Sequence, residues 1–185
     1  GLVPDVAVFG KAMSNGFPMA AIIGTEPVME AVQRTFVSST HWSERTGPAA
    51  ALASIERFSS ISAPQRLDAI GDAVTRAWVR AAEEAGLAVS VSGFGGIRYL
   101  EFLHDEAAAM ETELTNQMLG LGYLHGSRFY ANVRQEPFIV HFEKNLRRAF
   151  RGVGEKMRDQ TLPSGPSVRL GDFQPYARNL EASQS

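Results

Sequence analysis

Apolar and polar positions alternate along this chain in two different rhythms. Val6-Ala7-Val8-Phe9, closed by Gly10, and Met19-Ala20-Ala21-Ile22-Ile23-Gly24 are short continuous apolar runs, the pattern of buried strands. Between them, residues 12–18 carry turn chemistry: Asn15-Gly16 accepts positive φ and Pro18 stops a helix. Thr25 is placed to cap a helix over 28–33. Residues 35–47 are polar and hydroxyl-rich, and an Ala-rich helix runs from Pro48 to Phe58, with proline in its first turn.

A hinge is expected at 59–63. Beyond it Leu67, Ile70, Val74, Trp78, Ala81 and Ala85 recur at helical spacing up to Gly86, which predicts a long amphipathic helix ended by glycine. Residues 87–91 and 97–103 read as strands around Gly93-Phe94-Gly95-Gly96. Asp105 is positioned to cap a helix bearing Met110, Leu114, Met118 and Leu121. Residues 123–133 read as a strand pair broken near Gly126. The last helix presents Phe138, Phe142, Leu146, Phe150, Val153 and Met157. These elements predict an α/β chain in three parts: the end of a larger sheet over 1–58, a smaller α+β lobe over 59–160, and an extended tail over 161–185.

Composition narrows the function classes. The 185 residues include 18 Lys+Arg against 20 Asp+Glu, a net charge of −2, a balance that argues against a protein built mainly to hold nucleic acid or an anionic membrane, both of which need a concentrated basic face. Cysteine is absent, which excludes thiolate metal sites and a cysteine nucleophile within this sequence and suits a reducing, cytoplasmic setting. Only Lys11, Lys144 and Lys156 are lysines. Lys11 directly follows an apolar run and sits between Gly10 and Ala12. A lysine at the carboxyl end of a strand, partly desolvated, becomes a nucleophile able to form an imine with an aldehyde; the alternative is a strand-end lysine snorkelling into solvent.

The segment Pro4-Asp5 followed by Val8-Phe9-Gly10-Lys11-Ala12-Met13-Ser14-Asn15-Gly16-Phe17-Pro18-Met19-Ala20-Ala21 closely resembles the cofactor-lysine segment of class III (fold-type I) pyridoxal-phosphate aminotransferases, in the style of the glutamate-1-semialdehyde aminomutase-like branch. A second block, residues 38–52, resembles the loop and helix that follow in that family. The Gly165-Pro166 and Gly171-Asp172-Phe173 patterns resemble its C-terminal lobe.

The resemblance implies that Lys11 holds pyridoxal 5'-phosphate through a Schiff base and afterwards shuttles a proton. It implies a homodimer in which a hydroxyl of the second block reaches the cofactor phosphate of the other subunit. Ser43 occupies that position, with Thr40 the hydroxyl if the register shifts; ordinary loop capping is the competing role for both. The implied substrates are a small-molecule amino donor and a carbonyl acceptor. An intramolecular 2,1-aminomutase shift uses the same lysine, and racemisation or decarboxylation would need only a different substrate orientation.

Two departures qualify the match. Where relatives carry Ala-His-Thr and then acidic residues, this chain reads Val133-Arg134-Gln135-Glu136-Pro137. The family's phosphate loop, its ring-stacking aromatic and its pyridine-binding aspartate have no counterpart in the sequence. The expectation is therefore a C-terminal portion of such an enzyme, which on its own binds the cofactor weakly or not at all. A non-catalytic module acting through its interface is the reading from another class.

Other motifs read as structural. Gly93-Phe94-Gly95-Gly96 lacks a strand–GxGxxG–helix setting and predicts a hairpin rather than a phosphate loop. His41 and Glu44 lack further metal ligands nearby. Arg98 suits either a substrate carboxylate or, more simply, an ion pair across strands. Arg147, Arg148 and Arg151 suit a solvated helix face.

Overall fold

A computed structural model describes residues 3–41 and 43–163. The Gly165-Pro166 and Gly171-Asp172-Phe173 patterns, and the expected tail beyond Pro163, lie outside the described residues. The described residues form two compact units, divided between Ala63 and Pro64.

The first unit contains β1 (Val6–Phe9), a 3-10 turn (Lys11–Met13), β2 (Ala21–Gly24), α1 (Glu26–Val32) and α2 (Thr46–Ser60). β1 and β2 pair antiparallel, Val6 opposite Gly24 and Phe9 opposite Ala21. The Thr25 amide extends the ladder to the Asp5 carbonyl at 2.9 Å. The strands fall where the apolar runs place them, but they are not buried: Val8 is 70% and Ile22 60% exposed. A two-stranded ribbon has too few neighbours to cover both of its faces. Thr25 takes the N-cap position of α1 without a side-chain cap bond, and Pro27 fills the first turn.

The second unit holds α3 (Ala63–Ala85), β3 (Val89–Phe94), β4 (Ile97–Phe102), α4 (Ala107–Gly120), β5 (Arg128–Tyr130), a 3-10 turn (Val133–Phe138) and α5 (Ile139–Arg158). Its antiparallel sheet has the order β3-β4-β5. The helical periodicity of α3 and α5 is realised in one core, where Val74, Trp78, Leu114, Met118, Leu146, Phe150 and Val153 are completely buried. β4 alternates as a half-covered strand should, with Leu100 and Phe102 inward and Tyr99 and Glu101 outward. Gly86 follows α3 at φ +72, the left-handed conformation that ends helices. The glycine-rich segment closes the β3–β4 hairpin, Phe94 opposite Ile97.

Three local expectations are corrected. Asp105 does not cap α4: Glu106 holds the N-cap position, and its amide donates to His104 Nδ1 at 3.1 Å. The strand pair over 123–133 is the single strand β5, because residues 123–127 give β4 only one further bond, from the Leu100 amide to the Ser127 carbonyl at 2.7 Å. Phe138 is 63% exposed rather than core, since it closes a 3-10 turn instead of joining the helical stripe. That turn begins with a capping box, in which Asn132 accepts from the Arg134 amide and the Gln135 side chain accepts from the Asn132 amide.

Candidate functional site

Lys11 opens the 3-10 turn immediately after β1, with φ at +52. A residue with a Cβ adopts this left-handed conformation at a cost of about 1–2 kcal/mol. Gly10 in front of it is extended and brings no side chain beside the amine. The expected desolvation is not observed: Lys11 is exposed, because the bare ribbon supplies no wall around it.

The segment after Lys11 folds back through a series of local bonds. The Gly10 carbonyl accepts from the Met13 amide at 3.2 Å, and the Ala12 carbonyl from the Asn15 amide at 3.2 Å. Asn15 and Gly16 both have positive φ, +48 and +105, the signature of a type I′ turn. The Phe17 amide closes that turn on the Ser14 carbonyl at 3.3 Å, and the Ser14 hydroxyl donates to the Phe17 carbonyl.

This segment packs against the start of α2. Gly47 is buried, and a Cβ there would lie 3.1 Å from both the Pro18 carbonyl oxygen and Met19 Cβ. Glu44 anchors the same helix end: its carboxylate accepts from the Thr46 amide at 2.7 Å and the Gly47 amide at 3.2 Å. Hydrogen bonding by Thr46, followed by Gly47, draws the Glu44 carboxyl down to about 2. Negative charge at a helix N-terminus is favourable for the same reason.

Ser43 and Thr40 lie in the turns leading into α2, and both are exposed. The backbone segments carrying Lys11 and Ser43 are therefore joined through Met19, Gly47 and Glu44. No hydrogen bond links Lys11 to Ser43 or Thr40 among the described residues. Ser14, Glu44 and Gly47 escaped the sequence reading. An acidic residue two positions before Thr46-Gly47 was a legible capping signal, whereas nothing in the sequence marks the Ser14 hydroxyl as buried.

In the second unit, Arg98 is committed to α3. It donates to Asp72 at 2.8 Å and Thr75 at 3.2 Å, which accounts for it as an ion pair to a helix rather than across strands. Arg147 bridges Glu84 at 3.3 Å and Glu143 at 3.0 Å. His125 is buried, accepts from the Trp78 indole N–H at 3.1 Å, and is pushed down to about 4 by burial. It borders a groove of about 280 Å³ together with Phe129, Phe138 and Phe142. Among the described residues no group of three or more His, Asp or Glu is arranged to hold a metal ion, and no helix is long and apolar enough to cross a membrane.

Lys11 is thus exposed, on a positive-φ turn held by local backbone bonds, with only glycine before it. A family model described as aminotransferase class-III matches residues 1–149. The chain belongs to the class-III aminotransferases.

Among curated class-III relatives, the 3-aminobutyryl-CoA aminotransferase of Cloacimonas acidaminovorans is 32% identical over 123 residues, covering 64% of this chain and 30% of the relative. The glutamate-1-semialdehyde 2,1-aminomutase of Dechloromonas aromatica is 28% identical over 148 residues, covering 75% of this chain and 35% of the relative. The chain thus spans about a third of the length of these relatives. A solved structure described as a transaminase with PLP bound superposes with a TM-score of 0.76 at 22% identity, over 85% of this chain and 40% of the other. That likeness shows that the α/β class-III fold is shared.

Proposed function

We propose that the whole protein is a pyridoxal-phosphate-dependent aminotransferase that moves an amino group between a small amino donor and an aldehyde or ketone, with Lys11 as its cofactor lysine. The observation that carries this reading is the class-III family match over residues 1–149, which takes in Lys11 on its positive-φ turn after β1.

The cofactor, when bound, supplies the electron sink that makes a substrate Cα–H bond acidic. The Lys11 Nζ would hold the cofactor through its aldehyde carbon, with loss of water. Once freed by substrate amine, it would take the substrate Cα proton and deliver it to the cofactor carbon on the other side of the substrate nitrogen. One amine serves as nucleophile and then as general base, so it has to stay within bonding reach of both carbons. A lysine fixed at φ +52 by the surrounding backbone bonds meets that demand better than one on a free loop.

Ser43, or Thr40 beside it, donates a hydroxyl to the cofactor phosphate of a second copy in a cytoplasmic homodimer. Their exposure and their lack of a bond to Lys11 suit a contact outside their own unit. The exposed apolar faces of β1 and β2 are covered in this reading by the rest of the enzyme. A 2,1-aminomutase reaction is the alternative that the Dechloromonas relative favours.

The test is borohydride reduction of the native protein with pyridoxal phosphate, followed by peptide mass mapping. A pyridoxyl group on Lys11 supports the proposal, and labelling that persists after Lys11→Arg contradicts it. A requirement for a separate carbonyl acceptor distinguishes transfer from the intramolecular shift.

A further inference from the structure

Ser14 stands out within the Lys11 segment. It has no exposed surface, while residues 15–18 around it are all exposed. A buried hydroxyl is stable only when hydrogen-bonded, and this one spends its proton on the Phe17 carbonyl. The same two residues are joined in reverse by the Phe17 amide to the Ser14 carbonyl at 3.3 Å. Two antiparallel bonds therefore lock the turn.

That lock adjoins the strained position. Ser14 is the C-cap of the 3-10 turn that Lys11 begins; the bond from the Asn15 amide to the Ala12 carbonyl overlaps the Ser14–Phe17 turn, and the one from the Met13 amide to the Gly10 carbonyl precedes it. Left-handed backbone at a residue with a Cβ persists only where the surroundings over-determine it. Phe17 is followed by Pro18, whose carbonyl rests against Gly47, so the Ser14 bond also ties the lysine turn to the start of α2.

We infer that Ser14 is a positioning residue for Lys11: its buried hydroxyl holds the turn that fixes the direction of the Lys11 amine. The inference rests on the cofactor role of Lys11 proposed above. Ser14 itself touches neither substrate nor cofactor.

The test uses the native protein with Ser14→Ala and Ser14→Cys. The thiol of the second variant fills the site but donates poorly. Two readouts are taken: the rate at which Lys11 captures pyridoxal phosphate, trapped by reduction and mapped by mass, and amide hydrogen exchange over residues 11–17 in the cofactor-free protein. Both variants should capture about tenfold more slowly than wild type and exchange about tenfold faster over that segment. Wild-type capture by folded Ser14→Ala, or by Ser14→Cys, overturns the inference. If the alanine variant does not fold, the cysteine variant decides. Lys11→Arg runs in parallel: if it still captures the cofactor, the role of Lys11 fails, whatever the Ser14 variants show.

Discussion

Gly47 lies against Met19 so closely that a methyl group between them would force its neighbours to shift. A Cβ at Gly47 would sit 3.1 Å from Met19 Cβ and from the Pro18 carbonyl oxygen. The second of these is backbone and cannot swing aside. This contact seats the start of α2 on the segment that carries Lys11.

Gly47→Val should therefore destabilise the protein by about 1–3 kcal/mol, the range for overpacking a filled site. Urea unfolding of the variant and wild type measures it, and an unchanged midpoint would mean that the contact yields freely.

Glu44 makes the same helix end pH-sensitive. Its folded carboxyl titrates at about 2, below the ordinary value, so its stabilising contribution is present above about pH 4.5 and is lost as pH falls toward 2. Thermal unfolding of wild type should weaken through this window more steeply than that of Glu44→Gln. Parallel curves for the two proteins would remove Glu44 from the account.

His125 acts in the same direction at a higher pH. Burial lowers it to about 4 in the folded state, while the unfolded histidine takes its proton near 6.5. Stability should fall as pH drops from 6.5 to 4, by on the order of 3 kcal/mol at one pKa unit per 1.36 kcal/mol. An imidazole NMR titration gives the folded value directly, and a midpoint near 6.5 would contradict the burial and the Trp78 bond together.

Lys156 explains one of the three lysines. Its Nζ lies 2.9 Å from Glu113 Oε2, on a carboxylate whose side chain is only 2% exposed, and Gln117 donates to the other oxygen at 2.7 Å. Lys156→Met should cost about 3 kcal/mol by stranding that carboxylate. The double change with Glu113→Leu should recover most of the loss. A double variant no more stable than Lys156→Met alone would show that the pair is not what joins α4 to α5.

These particulars show which features the sequence exposes. The helices α3 and α5 were legible because Val74, Trp78, Leu146 and Phe150 bury one stripe of each, and periodicity reports burial within a unit. β1 and β2 were legible as strands from the apolar runs 6–9 and 19–24, but the expected burial was not met, because Val8 and Ile22 stay exposed among the described residues. Lys11 could be picked out by its place after an apolar run. The bonds that hold it could not, because the Ser14 hydroxyl and the Gly47 contact depend on residues meeting through turns whose direction no local pattern encodes. Asp105 was the better cap by residue type, yet the chain enters α4 one residue later, with His104 receiving the amide.

The most direct measurement of the central claim is the site of reduced pyridoxyl label in the native protein, mapped among Lys11, Lys144 and Lys156. The account predicts label on Lys11 and its loss in Lys11→Arg. Stoichiometric label confined to Lys144, to Lys156 or to a lysine outside this chain would contradict it.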